Sequence, residues 1–146
     1  MSTESRQPSR RVIVPPTGLL PHRPYSPAVL AGNLLYVSGH TGSDPSTREF
    51  EAGIEAQARQ AFMNIQAVVE AAGGTMADIA KVNVFMVDMP NDFETMNRVF
   101  REFFPTEPPA RSTVGVSHLA RPGLRIEVEV VGVLLAASPA CGRGQG

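Results

Sequence analysis

Apolar residues recur at helical spacing through residues 54–72, where Ile54, Ala58, Ala61, Ile65, Val68 and Ala72 form one stripe widened by Phe62 and Val69. Gly73-Gly74 ends this helix. Phe93, Met96, Val99, Phe100 and Phe103 predict a second helix that begins near Asn91. Glu94 follows three residues later, as in a capping box, and Pro105 closes the helix. The other apolar runs read as strands. Leu34-Leu35-Tyr36-Val37-Ser38-Gly39 is a buried strand, and residues 82–87 are apolar on both faces. Residues 11–14 make a short edge strand stopped by Pro15-Pro16, and residues 109–114 open another after a proline-rich turn. Residues 124–130 alternate apolar and charged positions throughout. Pro21, Pro24 and Pro27 predict an irregular, extended stretch, residues 42–48 a turn, and residues 76–79 one more helical turn.

The order β, β, α, β, α, β, β predicts an α/β sandwich, with both helices on one face of a mixed sheet. The second sheet face then stays uncovered and suits a partner subunit. Ile126, Val128 and Val130 point to one side, and Arg125, Glu127 and Glu129 to the other. The chain divides into a disordered polar arm (1–10), a single domain (11–136) and a flexible tail (137–146).

Composition narrows the function classes. The 146 residues carry a net charge of −1, with 42% hydrophobic and 18% charged residues and no basic stripe. That balance gives no support to a nucleic-acid or membrane-surface role. No apolar run approaches a bilayer span, and the first residues lack a hydrophobic signal core. The single cysteine, Cys141, excludes a disulfide framework and fits a cytoplasmic location. His22, His40 and His118 lack metal-ligand spacing, so no metal site is expected.

The candidate chemistry lies in two strands. Arg111, in Pro109-Ala110-Arg111-Ser112, and Glu127, sixteen residues on, are read as neighbours on one face. A guanidinium and a carboxylate so placed suit a small carboxylate substrate and an attacking water. The alternative is a cross-strand salt bridge from Arg111 to Glu127 or Glu129.

Several stretches, in order, carry a resemblance: Arg23-Pro24-Tyr25-Ser26, Tyr36-Val37-Ser38-Gly39, Gln57-Ala58-Arg59-Gln60, Asn64-Ile65, Glu70-Ala71-Ala72-Gly73, Asp88 with Asn91-Asp92-Phe93, Met96-Asn97, Phe103-Phe104, Pro109-Ala110-Arg111-Ser112 and Ile126-Glu127-Val128-Glu129. From about residue 24 to residue 135 the chain resembles the reactive intermediate deaminase family (RidA/YjgF). The resemblance implies a chorismate-mutase-like fold, and a homotrimer whose sheets pack inward as a barrel with clefts between subunits. It implies cofactor-independent hydrolysis of small 2-imino or enamine acids to 2-oxo acids and ammonia. Alternatives are a specialised enamine substrate of the aminoacrylate or 2-aminomuconate type, or a non-catalytic ligand-binding trimer. A ribonuclease role is a third, disfavoured by the neutral charge.

On this resemblance Arg111 matches the arginine that clamps the substrate carboxylate, and Glu127 the glutamate that holds the hydrolytic water. Tyr25, Ser38, Gly39 and Asn97 match cleft positions. Gly39 read alone equally suits a tight turn, and Asn97 an exposed helix face. Thr113 stands where many members carry cysteine; it is either a pocket residue or a strand residue. His40 stands at a variable position, as a hydrogen-bond donor or a solvent-facing side chain.

Overall fold

A computed structural model describes residues 9–16 and 23–135. The expected tail 137–146 with Cys141, residues 1–8 of the expected arm, and His22 lie outside the described residues. The first strand, β1 (Arg10–Ile13), sits at a sheet edge as its short apolar run predicts. A strand follows just after the proline-rich stretch predicted to be irregular: β2 (Ala28–Ala31) pairs antiparallel with both β1 and β3 (Leu34–Thr41). The β2–β3 turn is the two-residue Gly32-Asn33, with Gly32 at φ +62°, the left-handed conformation such hairpins need.

Helix α1 (Ile54–Ala71) follows, buried along Ala58, Ala61, Phe62, Ile65, Val68 and Val69 as its periodicity predicts. A 3₁₀ turn, Met76–Asp78, leads into β4 (Ile79–Met86). The capping box belongs to this turn, where Thr75 and Asp78 bond reciprocally, and not to Asn91. Helix α2 spans Met89–Phe103, two residues earlier than expected, with Asp88 as N-cap and Pro90 in its first turn, where a missing N–H costs nothing. Strands β5 (Ala110–Gly115) and β6 (Ile126–Val133) complete the chain.

The six-stranded sheet runs β1-β2-β3-β6-β4-β5. Strands β5 and β6 are therefore not neighbours. Strand β4 separates them, antiparallel to β6 and parallel to β5. Both helices cover one sheet face. There Phe62 meets Phe100 edge-on at 5.7 Å, Phe103 at 5.4 Å and Phe104 at 6.1 Å, over a floor of Val82, Val84, Ile126 and Val128. The other face leaves Tyr36 48% exposed, Val114 44% and Val133 39%. Among the described residues no helix is long and apolar enough to cross a membrane.

Candidate active site

Register fixes which way each candidate points, because residues paired across strands share a face. Arg111 pairs with Val82, a fully buried core residue, so it faces the helices. Glu127 pairs with Phe85 and alternates with buried Ile126 and Val128, so it faces the uncovered side. The shared face expected for this pair is not found. The salt-bridge alternative fails with it, since Arg111 makes no ion pair among the described residues. Arg125 also departs from expectation: its guanidinium turns to α2 and grips buried Asp92 through two bonds of 2.8 and 2.9 Å.

On the helix side Arg111 lies against soft neutral groups. Its charged carbon stands 4.6 Å from the Phe100 ring centroid and 5.9 Å from that of Phe93, and one Nη approaches Met96 Sδ at 3.8 Å. Burial, and then the charge on Arg101, push its pKa down from the usual arginine value. Thr113 pairs with core residue Val84 and so shares this face; its Oγ1 is buried and has no hydrogen-bond partner. Asn97 is partly buried and stands one turn after Phe93, on the helix flank that meets Arg111. This group therefore joins a cation, an unpaired hydroxyl and an amide along edge strand β5.

The second group is built on the end of β3. A register shift between Val37 and His40 bends that strand at a bulge, after which its pairing with β6 resumes, His40 with Val128 and Thr41 with Glu127. Gly39 sits in the bend, and a Cβ there would lie 2.5 Å from Glu127 Oε2. The glycine is needed because the carboxylate occupies its side-chain space. Among the described residues nothing donates a hydrogen bond to that carboxylate, whereas Glu129 accepts one from Asn83 at 3.3 Å. Burial raises the Glu127 pKa above the ordinary carboxylate value, and the nearby Glu129 charge raises it further.

Glu127, Gly39, His40 and Tyr25 line one cleft of about 470 Å³. Ser38 supports it from behind, its Oγ donating to the Ser26 carbonyl at 2.6 Å and its backbone N–H to the Pro27 carbonyl. His40 is not solvent-facing. Its Nδ1 is 2.6 Å from the Ser38 carbonyl, which can only accept, so Nδ1 carries the hydrogen. Burial lowers its pKa, against the opposing effect of that bond, and the Arg23 charge lowers it slightly more. Nε2 is then the acceptor in the neutral ring. Tyr25, 47% exposed, carries Arg23 over its ring and accepts a bond from it.

Three residues outside the predicted set shape this cleft. Asn64 on α1 holds the end of β3, donating to the carbonyls of Thr41 and Ser43. Gln57, fully buried, donates to the carbonyls of Glu51 and Gly123 and accepts from the Arg125 N–H, which fixes the approach to β6. Arg121 binds Ser43 Oγ at 2.6 Å. The polar residues Gln57 and Asn64 beside an otherwise apolar helix stripe are the available signal. Among the described residues no cluster of three or more His, Cys, Asp or Glu side chains could hold a metal ion.

Residues 17–134 match the family model described as Endoribonuclease L-PSP. Among curated proteins, the chain is 45% identical over 126 residues to the 2-iminobutanoate/2-iminopropanoate deaminase of Dermatophagoides farinae, covering 86% of this chain and 97% of the relative. It is 42% identical over 113 residues to the Escherichia coli K12 protein of the same name, covering 75% and 87%. Among solved structures, RidA from an Antarctic Psychrobacter superposes with a TM-score of 0.79 at 39% identity, over 85% of this chain and 99% of that one. With its six-stranded mixed sheet, two helices on one face and ordered motifs from Arg23 to Glu129, the chain belongs to the RidA/YjgF family.

Proposed function

We propose that this protein is a cofactor-independent deaminase that hydrolyses small 2-imino acids and their enamine tautomers to 2-oxo acids and ammonia. The observation that carries the reading is a pair of charges unmatched among the described residues, Arg111 without an anion and Glu127 without a donor, on opposite faces of one sheet. Relatives at 45% and 42% identity bear the name of such an activity. In this reading Arg111 clamps the substrate carboxylate through its planar fork. Thr113 Oγ1 and Asn97 hydrogen-bond the substrate beside it. Glu127 takes a proton from water as the oxygen attacks the protonated imine carbon. Glu127 then returns that proton to the nitrogen of the tetrahedral adduct, the adduct hydroxyl gives its own proton to Glu127 as the C–N bond breaks, and ammonia leaves a 2-oxo acid. The water supplies the new oxygen.

One chain cannot bring Arg111 to Glu127 through its own sheet. We therefore infer a homotrimer in which edge strand β5 of one subunit reaches the Glu127 cleft of the next. The exposed apolar face carrying Tyr36, Val114 and Val133 supports this arrangement, since a ring of heterologous contacts would bury it. A binding-only trimer needs Arg111 alone; the half-buried Glu127, unpaired among the described residues, favours hydrolysis over it. The test is ammonia release by the purified protein from freshly generated 2-iminobutanoate and 2-iminopropanoate, with aminoacrylate-type and 2-aminomuconate-type enamines as the specialised alternatives. No acceleration over the uncatalysed rate with any of them would remove the enzyme reading.

A further inference from the structure

We propose that the Glu127 cleft is built for imino acids carrying a second carboxylate, with Arg121 and Arg23 taking the distal anion. The substrate class rests on the hydrolase reading above; the anion subsite itself does not. Arg121 lines the cleft beside Glu127, Tyr25 and His40. It is held in place by neutral groups only: Nη1 donates to the Arg48 carbonyl at 3.0 Å, Nη2 to Ser43 Oγ at 2.6 Å, and the guanidinium lies 4.9 Å from the Phe50 ring centroid. A guanidinium offers five N–H donors, so most of its capacity remains open. Its position is fixed before any ligand arrives, which lowers the ordering cost of binding.

Arg23 lines the same cleft, stacked on Tyr25, and its charge reaches His40. Among the described residues neither Arg23 nor Arg121 makes an ion pair. The arginines that tie helices to their surroundings differ: Arg59 pairs with Glu102 and Glu55, Arg98 with Glu55, and Arg125 with Asp92. The cleft lining carries three arginines, Arg23, Arg48 and Arg121, against two acids, Asp44 and Glu127, and among the described residues neither of these acids pairs with an arginine. Asp44 spends its Oδ1 on the backbone N–H groups of Ser46 and Thr47, bonds that also lower its pKa. Glu127 lies against Gly39, with no arginine within ion-pair distance. A monocarboxylic imino acid brings one anion, which Arg111 takes in the proposed mechanism. Two further uncompensated guanidiniums call for a second. The cleft volume, about 470 Å³, has room for the longer acid.

The test compares kcat/KM for 2-iminoglutarate and 2-iminobutanoate, each generated in place by an amino-acid oxidase. In parallel, calorimetric titration compares glutarate with butyrate. The expected results are a preference of about tenfold or more for the diacid in both assays, and a ratio falling toward one in Arg121→Gln, as the loss of a charge-assisted bond dictates. Arg121 also ties two loop segments, so Arg23→Gln, whose only described contacts are to Tyr25, provides a second variant that keeps the fold. If neither imino acid is hydrolysed but glutarate still binds better in an Arg121-dependent way, the subsite stands and the hydrolase reading falls. Equal handling of mono- and diacid by the wild type, or equal losses on both acids in the variants, overturns the proposal.

Discussion

The helix side of β5 and the bent end of β3 treat charge differently from the region between α1 and β6. Between α1 and β6 every buried polar group is answered. Gln57 uses both ends of its amide, and Asp92 takes two of the three guanidinium nitrogens of Arg125. At β5 a half-buried guanidinium rests on two aromatic rings and a thioether, and the hydroxyl of Thr113 has no partner. At β3 a carboxylate is pressed against a glycine with no donor in reach. Folding alone does not favour the second pattern, because an unpaired buried polar group costs about 1–3 kcal/mol. The contrast separates what holds the fold together from what waits for a ligand.

Removing the cation is the strongest way to test this contrast. Arg111→Ala is expected to lower kcat/KM by about 10²–10⁴-fold, the loss of two charge-assisted bonds of about 1.5–3 kcal/mol each. Its far-ultraviolet circular dichroism should stay that of the wild type, since its described contacts are two rings and a thioether that are packed by the core rather than by the guanidinium. Full activity in the folded variant would take Arg111 out of the mechanism. Gly39→Ala attacks the other region. The added methyl must displace the Glu127 carboxylate, and a shift of that size is expected to cost up to about 10²-fold in kcat with little change in KM. An unaffected kcat would show that the carboxylate need not sit against β3.

Thr113→Val sharpens the comparison by separating stability from function. Replacing an unpaired buried hydroxyl with a methyl is expected to raise unfolding free energy by about 1 kcal/mol in denaturant titrations. If the hydroxyl serves the substrate, kcat/KM falls in the same variant. A loss of stability would mean that the hydroxyl has a partner in the native assembly. The smallest expected effect concerns pH. Glu127 must be ionised to act, and burial holds its pKa above the ordinary carboxylate value, so the acid limb of kcat should lie above that value. Glu129→Gln removes the lesser cause and should move the limb to lower pH, while burial keeps it above the ordinary position. The stability sign is opposite to that of a salt-bridged acid. A raised native pKa means that the protonated form favours folding, a contribution present at low pH and lost as pH rises through the raised value. Glu127→Gln should therefore be more stable than wild type above that pH, with the gain vanishing below the ordinary carboxylate range.

The helices were legible because their stripes are local: eight apolar positions through residues 54–72 leave little choice of period. Strand β2 was missed beneath three prolines, although Gly32-Asn33 between two apolar runs is itself a hairpin signal. The residues of the candidate site were readable through the family motifs, but their arrangement was not. Whether Arg111 and Glu127 share a face depends on the insertion of β4 between β5 and β6, a long-range pairing that no window of sequence contains. The local pattern of β5 could not help, because most of that strand is exposed and neither of its faces is continuously apolar.

The central claim is that a working site needs Arg111 from one subunit and Glu127 from another. The direct test co-refolds Arg111→Ala and Glu127→Gln chains, each with its own affinity tag, and isolates mixed trimers by sequential capture. Each parent should be inactive. Mixed assemblies are expected to regain up to about a third of the wild-type rate, because a cyclic trimer holding both chain types has one interface of its three that joins an intact Arg111 to an intact Glu127. If the site lies within one chain, every chain in the mixture still carries a lesion. Mixed trimers that remain as inactive as their parents would contradict the account.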